Sequence, residues 1–328
     1  MTVRTPHAAA LLSGTALLIA GAMPSAARAQ EATLVLGHVG SATDPREEAA
    51  TRFKSIVEKE SDGRIAVEVH GNSTLGTWEE MIEGLQFGTT DIVIESLLAL
   101  EAYTDLAGIE TAPFLYSTPD EFFATWDGEL GQEIKDAITE ASGYAVLGNL
   151  YRGARELTTK EPVTRLDQLE GLTIRTPSAP TMVATWRALG ARAEAMPWPE
   201  VYSALEQGVI DGQENPLDVI AFNDIYDVAP QIAETSHLHA NFHFLMWDEA
   251  LEGLSEEDRR IVREAAETVG EEYTEKTLAN QEAYREDLVS KGASFNAIED
   301  RDAWVEAVQP VVDGLPERVQ EWIAEIRG

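Results

Sequence analysis

Short apolar runs alternate with amphipathic stretches along most of the chain. The short runs, which predict strands, lie at 34–36, 65–69, 92–94, 145–147, 172–174 and near Ile210. Stretches with one apolar face, which predict helices, lie at 45–60, before Gly88, across 119–142, and at 181–189, 199–207 and 316–326. From Ser255 to about Ser290 the pattern predicts one long acidic helix, or two. This alternation predicts an α/β fold with mainly parallel strand pairing.

Two segments separated by 120 residues repeat one short pattern. Residues 80–91 and 200–211 share Glu, Leu, Gly and Asp at the same positions, and each reads as a helix that ends at a glycine before a strand. Such junctions are common in α/β proteins, so the repeat is compatible with chance or with two similar lobes. If the chain has two similar lobes, the offset of 120 residues makes Glu95 and Asn215 equivalent positions. Each follows a predicted strand, and ligands of open α/β sheets bind at such strand ends.

The first 29 residues have the features of a secretory signal peptide. Arg4 precedes an apolar run over 8–22, and Ala27-Arg28-Ala29 is a typical cleavage pattern. The run is interrupted by polar residues and glycines and is shorter than the roughly 20 residues of a membrane span. We therefore expect cleavage near Ala29-Gln30 and export of a protein that does not itself span the membrane.

Composition narrows the classes of function. The chain has 328 residues, no cysteine and a formal charge of −34, with 58 acidic against 24 basic residues. The lack of cysteine excludes disulfides, thiolate metal sites and cysteine nucleophiles. The acidity argues against nucleic acid as a partner and favours a soluble monomer. The length predicts two domains. Common nucleotide-binding, hydrolase and zinc-protease motifs are absent, so we expect no cofactor and no enzymatic activity.

Two arginines near strand ends are candidates for binding an anion. Arg175 ends the extended run 172–175, and Arg155 precedes another extended run. A guanidinium pairs with a carboxylate through two parallel hydrogen bonds, so these residues in a cleft would select an organic acid. The alternative is that both are surface arginines paired with nearby acids.

Two further candidates stand beside prolines. Pro216 favours extended geometry at Asn215, whose amide can both donate and accept hydrogen bonds. Trp198 lies between two prolines and could form a wall of a pocket. A turn residue at position 215 and simple packing at position 198 are the alternatives.

A histidine cluster provides a different hypothesis. His237, His239 and His243 share one face if their segment is a strand, and imidazoles on one face can bind a transition metal. No patterned carboxylate accompanies them, so ordinary structural histidines are the competing interpretation. The alternative functions are therefore a periplasmic metal-binding protein and a secreted carbohydrate-active enzyme.

Several strings together resemble the DctP-like substrate-binding proteins of TRAP transporters. They are Gly171-Leu172-Thr173-Ile174-Arg175, Leu189-Gly190-Ala191, Met196-Pro197, Glu200-Val201-Tyr202-Ser203-Ala204-Leu205 and Asp211-Gly212-Gln213-Glu214-Asn215-Pro216. The last string is the most specific, and the similarity covers essentially the whole mature chain. The resemblance implies a periplasmic protein with two α/β lobes, a ligand cleft between them and a long helix that crosses both. Such a protein closes on an organic acid and delivers it to a TRAP membrane permease.

The resemblance also implies roles for individual residues. Arg175 would hold the ligand carboxylate, and Arg155 would assist it. Asn215 would add a hydrogen bond. Trp198 would line the pocket at a position where the family usually has phenylalanine.

Residues of the first lobe bear on the identity of the ligand. The resemblance implies that His38 and Glu95, at strand ends, contact the remainder of the ligand. A carboxylate at Glu95 disfavours a second ligand carboxylate nearby and favours hydroxyl groups. We therefore expect a sugar-acid-like monocarboxylate, with a C4-dicarboxylate as the next choice.

A helix that crosses between lobes implies discontinuous domains. The expected division is a signal peptide at 1–29, a first lobe at 30–152 to which about 241–280 return, and a second lobe at 153–240 to which about 281–328 return.

The acidic surface leads to a prediction about salt. The chain has only six lysines among its 24 basic residues, and a strongly acidic, lysine-poor protein suits a salty habitat. Raising NaCl from about 0.1 M to 1 M shortens the Debye length from about 10 Å to 3 Å and screens repulsion between the acids. We expect the free energy of unfolding, measured by denaturant titration, to rise over this range. A constant or falling value would contradict the habitat hypothesis.

Overall fold

The computed structural model describes residues 31–328, so the predicted signal peptide at 1–29 lies outside the described residues. The strands are β1 Ala32–Gly37, β2 Ile65–His70, β3 Ile92–Glu95, β4 Tyr144–Thr159, β5 Thr173–Thr176, β6 Arg192–Ala195, β7 Gly212–Pro216, β8 Gln231–Trp247 and β9 Ser294–Ala297. The α-helices are α1 Pro45–Glu60, α2 Trp78–Phe87, α3 Pro119–Trp126, α4 Glu129–Ser142, α5 Pro180–Ala188, α6 Val201–Gln207, α7 Leu217–Phe222, α8 Asp248–Glu252, α9 Glu256–Ser290, α10 Arg301–Asp313 and α11 Glu317–Arg327. Short 3₁₀ helices lie at Leu97–Leu100, Asp105–Ile109, Leu166–Leu169, Trp198–Glu200 and Ile225–Asp227.

Within residues 31–328 the nine strands form one mixed sheet in the order β2-β1-β3-β8-β4-β7-β5-β6, with β9 paired to β8. β1 pairs in parallel with β2 and β3 at one end, and β5 pairs in parallel with β6 and β7 at the other. β4 and β8 lie antiparallel to each other in the centre, and they continue into both ends of the sheet. The α/β class is confirmed, and the predicted parallel pairing holds within each end.

Hydrophobic cores lie at both ends of the sheet. In the first lobe α1 and the first half of α9 pack on β1–β3, as Phe53 and Ala265 illustrate. In the second lobe α6, α7 and the end of α9 pack together, as Ile220 and Leu288 illustrate. Thus α9 is a single helix that crosses from one lobe to the other. No helix within residues 31–328 is both long and apolar enough to cross a bilayer.

The C-terminal region divides between the lobes. Trp304 of α10 belongs to a second-lobe core together with Trp186. In contrast, Trp322 of α11 packs in a first-lobe core with Phe122, and its Nε1 donates a hydrogen bond to Glu133 at 2.8 Å. The sequence predicts that about 281–328 return to the second lobe. In the structure the last helix, α11, packs against the first lobe instead.

The 120-residue repeat corresponds to one structural corner in each lobe. Gly88 and Gly208 end their helices in the left-handed region, with φ of 69° and 74°. Asp91 then accepts a hydrogen bond from the backbone N–H of Val35 at 2.7 Å, and Asp211 accepts one from Thr173 at 2.8 Å. In each lobe an aspartate therefore ties the corner to the neighbouring parallel strand. The repeat reflects two similar lobes.

The crossing helix lies very close to the crossing strand. Gly148 in β4 has φ of 66°, and a Cβ added there would meet the backbone carbonyl oxygen of Ala266 in α9 at 2.5 Å. A Cβ on Gly270 of α9 would likewise meet the carbonyl oxygen of Asn149 at 2.6 Å. Glycine on both sides allows the two backbones to approach.

Substitution at Gly148 tests this packing against a matched control. Gly63 also has positive φ, at 77°, but a Cβ there would meet nothing within 4 Å. We expect Gly63→Ala to lower the free energy of unfolding by about 1–2 kcal/mol through backbone strain. Gly148→Ala should lower it by at least about 1 kcal/mol more, because overpacking adds to strain. Equal losses in urea denaturation would contradict a close approach of α9 to β4.

Candidate functional site

A cavity lies between the lobes, where strands of both come together. The space among its lining residues, together with the open solvent at its mouth, is about 450 Å³. The sequence-predicted residues that line it are Glu95, Arg155, Arg175, Trp198 and Asn215. Two further arginines, Arg46 and Arg152, also line it. The cavity therefore has four arginines in a chain that is poor in basic residues.

Arg175 lies near the carboxyl end of β5 and is held by the backbone. Its Nε and Nη2 donate hydrogen bonds to the carbonyl oxygen of Met196 at 2.9 and 2.7 Å, and its guanidinium lies 5.5 Å from the ring centroid of Trp198. Burial lowers the pKa of Arg175 to about 10, so the group remains a cation at neutral pH. No carboxylate within residues 31–328 lies within 4 Å of it. Arg175 is thus a fixed, buried cation without an anionic partner.

Arg155 on β4, in contrast, is already paired. Its Nε donates to Oε2 of Glu214 at 2.5 Å, and its Nη2 donates to Oε1 at 2.8 Å and to the Glu214 carbonyl oxygen at 3.0 Å. His237 Nε2 lies 3.2 Å from the same carboxylate. Burial alone would raise the pKa of Glu214, but Arg155 and His237 outweigh it and lower the pKa to about 2. Glu214 therefore fixes the position of Arg155.

Glu95 forms the acidic part of the lining. It is the last residue of β3; its Oε1 accepts a hydrogen bond from the Ser96 N–H at 2.9 Å, and its Oε2 lies 3.7 Å from Nη1 of Arg46. Burial raises the pKa of Glu95 despite the nearby arginines. Arg46 also forms two side-chain hydrogen bonds with Asp44, at 2.9 and 2.8 Å. Sequence reasoning missed Arg46, although it directly follows the Asp44-Pro45 start of α1.

Asn215 and Trp198 form part of the second-lobe wall. Asn215 lies on β7, and its Nδ2 donates a hydrogen bond to Oε1 of Gln213 at 2.6 Å. Trp198 begins a 3₁₀ helix and flanks Arg175. A planar aromatic beside a cation and an amide suits a ligand with both polar and apolar faces.

Arg152 is a second residue that sequence reasoning missed. It is only 4% exposed, and its guanidinium lies 3.7 Å from the ring centroid of Phe242. Burial lowers the pKa of Arg152. Its spacing of three from Arg155 would place the two side chains on opposite faces of a regular strand. The sequence alone therefore carried no signal that both face one cavity.

His38 occupies a different position from the one that the sequence suggests. It is fully buried and is not among the described residues that line the cavity; its Nε2 lies 3.0 Å from Oε2 of Glu47. Burial lowers the pKa of His38 to about 4, so the ring is neutral at ordinary pH. Its place at the end of β1 is as expected, but the imidazole contacts α1 rather than the cavity.

The three histidines of β8 do not form a metal site. Their rings have separate partners, which are Glu214 for His237, Tyr151 for His239, and Glu110 with the Gly148 carbonyl for His243. Within residues 31–328 no group of three His, Asp or Glu side chains is arranged to hold a metal ion. The hypothesis of a metal-binding protein is therefore not supported, because each imidazole takes part in a structural hydrogen bond.

The sequence profile of DctP, bacterial extracellular solute-binding protein family 7, matches residues 36–318 of the chain. The chain belongs to this family. Its members are solute-binding proteins, and the two-lobed α/β architecture described above is the one that solved relatives share.

Individual relatives agree along nearly the whole chain. A TRAP periplasmic solute-binding protein from Roseobacter denitrificans, solved with bound L-galactonate, has a TM-score of 0.85 and 32% identity, covering 91% of this chain and 99% of that one. One from Chromohalobacter salexigens, with bound D-glucuronate, has a TM-score of 0.85 and 27% identity, covering 90% and 99%. The C4-dicarboxylate-binding periplasmic protein DctP of Rhodobacter capsulatus is 28% identical in an alignment 331 positions long, which covers 97% of this chain and 96% of that protein.

The buried pair at the site leads to a prediction about acid stability. The pKa of Glu214 falls from an ordinary value of 4.5 to about 2 on folding, so its stabilising effect is complete above the unfolded pKa and is lost as pH falls through the folded one. Glu214→Gln leaves Arg155 unpaired and should lower the free energy of unfolding at pH 7 by about 3–5 kcal/mol. The gap between wild type and variant should narrow as pH falls from about 4.5 to 2.

Denaturant titration over this pH range measures the gap. The exposed Glu161→Gln serves as the control, and it should change the free energy of unfolding by no more than about 0.5 kcal/mol. A gap that is independent of pH would show that ionised Glu214 does not stabilise the fold.

Proposed function

We propose that this protein is the extracytoplasmic substrate-binding component of a TRAP-type transporter. It binds a sugar acid between its lobes and delivers it to a membrane permease. The observation that carries the proposal is Arg175, a buried cation that faces the cavity without a carboxylate partner among residues 31–328. The ligand carboxylate supplies that partner.

The proposed binding geometry begins at Arg175. Met196 accepts hydrogen bonds from Nε and Nη2, so the guanidinium is oriented before the ligand arrives. A preoriented arginine loses little conformational freedom when it binds a carboxylate. Arg155, held by Glu214, stands beside it as a second donor. The ligand carboxylate is expected to lie between these two residues.

The remainder of the ligand faces polar groups of both lobes. Glu95 accepts hydrogen bonds and suits hydroxyl groups, while Asn215 offers an amide that can donate or accept. Trp198 gives a flat surface for the carbon skeleton of a sugar. Relatives crystallised with galactonate and glucuronate support a sugar acid. A sugar acid held by one carboxylate at Arg175 is the favoured ligand, and the C4-dicarboxylate-binding relative keeps a C4-dicarboxylate as the second candidate.

Closure of the lobes completes the proposed mechanism. β4, β8 and α9 connect the lobes, and we place the division near residues 152 and 240, with about 241–280 returning to the first lobe. Exclusion of water strengthens each arginine–carboxylate bond, and a ligand favours the closed state only by binding it more tightly than the open one. The proposed site is therefore one for binding rather than for catalysis.

The proposed location is the periplasm, reached through cleavage near Ala29-Gln30. The chain acts there as a monomer that docks on its permease after closure. The family's extracellular assignment and the absence of a bilayer-spanning helix within residues 31–328 support this placement.

Substitution of Arg175 tests the proposal. Arg175→Ala should reduce the affinity for L-galactonate and glucuronate at least about thirtyfold, since loss of one partner of a buried charge pair costs about 2–5 kcal/mol. Arg175→Lys should also bind poorly, because an ammonium cannot form two parallel hydrogen bonds. Isothermal titration calorimetry measures both affinities.

Arg187→Ala provides the control, because Arg187 is an exposed arginine of α5 away from the cavity. It should bind like the wild type. Circular dichroism should show that all the variants are folded. Unchanged affinity in a folded Arg175→Ala protein would show that the carboxylate binds elsewhere.

A further inference from the structure

A bulge in β4 turns Arg152 toward the same cavity as Arg155. Residues three apart on a regular strand point to opposite faces of the sheet. The pairing of β4 with β8 shifts register between Tyr151 and Gly153, and Gly153 has φ of 96°. Such an irregularity reverses the alternation of side chains. Both arginines consequently line the cavity.

Arg152 is buried without a compensating carboxylate. It is 4% exposed, its Nε has no hydrogen-bond partner, and no carboxylate within residues 31–328 lies within 4 Å of it. The face of Phe242, 3.7 Å away, provides its cation–π contact. Burial of a cation is costly unless it is paired. This arrangement is comparable to that of Arg175, the other cavity arginine without an anionic partner.

The acidic residues near Arg152 either pair with another arginine or lie more than 4 Å from it. Asp44 and Glu95 lie beside Arg46, and Glu214 is bound by Arg155. Asp218 is the acid that acts most strongly on Arg152, but it lies beyond 4 Å and accepts a hydrogen bond from the Val219 N–H at 2.7 Å. The remaining charged or polar groups that act on Arg152 are Arg46, Arg155 and Tyr273.

Arg152 and Arg175 contact different parts of the cavity lining. Arg152 on β4 lies over the ring of Phe242 on β8, whereas Arg175 on β5 is bound to the Met196 carbonyl oxygen and flanks Trp198. Strand β7, which lies between β4 and β5, carries the Glu214 that holds Arg155. A ligand that spans the cavity can therefore reach one cation at each end. Two cations, Arg46 and Arg152, act on the Glu95 carboxylate, so its negative charge is offset and a second ligand carboxylate can be accommodated nearby.

We propose that Arg152 forms a second anion subsite, which gives the protein a preference for sugar acids with a carboxylate at both ends, the aldarates, over sugar acids with one. This proposal rests on the proposed function, since the first carboxylate binds at Arg175. Arg152 then acts as a specificity-determining residue, and monocarboxylates bind without using it as an ionic partner.

Galactarate and L-galactonate test the proposal, because they differ only in having a carboxylate or a hydroxymethyl group at one end. In calorimetry the wild type should bind galactarate at least tenfold more tightly than L-galactonate. In Arg152→Gln the ratio of the two affinities should fall to about one. Arg187→Gln, at an exposed site, should keep the wild-type ratio.

Several outcomes would overturn the proposal. Equal binding of both acids by the wild type would contradict the second subsite and leave the proposed function intact. Retention of the wild-type ratio in folded Arg152→Gln would assign the preference to another residue. If the wild type binds neither these acids nor glucuronate, the proposed function and this inference both fail.

Discussion

Four arginines line one cavity in an otherwise strongly acidic protein. The need to stabilise these buried charges accounts for the residues that surround them. Removing a guanidinium from water is costly, and several placed together repel one another. The fold compensates two of them internally, Arg155 with Glu214 and Arg46 with Asp44. The ring of Phe242 lies against Arg46 and Arg152, so its negative face moderates both charges. The other two, Arg152 and Arg175, have no carboxylate within 4 Å among residues 31–328, and both line the cavity that we propose as the ligand site.

The central strands explain how this charge is held in place. β4 carries Arg152 and Arg155, β7 carries Glu214, and β5 carries Arg175, so the arginines are positioned by a continuous hydrogen-bonded sheet rather than by loops. The close packing of α9 on β4 at Gly148 supports the same strand. The elements that connect the lobes and those that present the cations are therefore partly the same.

Local patterns in the sequence predicted much of this structure but not its centre. The limits of α1, the single long α9 and the repeated corners follow from capping residues and hydrophobic periodicity, which act over a few residues. Local patterns did not predict the length of β4 and β8. The polar and histidine-containing portions of these strands are buried because they pair with strands that are distant in sequence. For the same reason sequence reasoning missed Arg152. Its orientation depends on a register shift between strands, which no local pattern records.

In the repeated corner, the residues that hold the fold differ from those that line the cavity. In each lobe an aspartate, Asp91 or Asp211, fixes the corner through the neighbouring strand, and the residue four positions later meets the cavity. Those later residues, Glu95 and Asn215, are not needed to form the corner itself. Substitution at these two positions can therefore change the contacts with a ligand while the corner keeps its hydrogen bond to the neighbouring strand. The ligand preference of such a frame can be altered one lobe at a time.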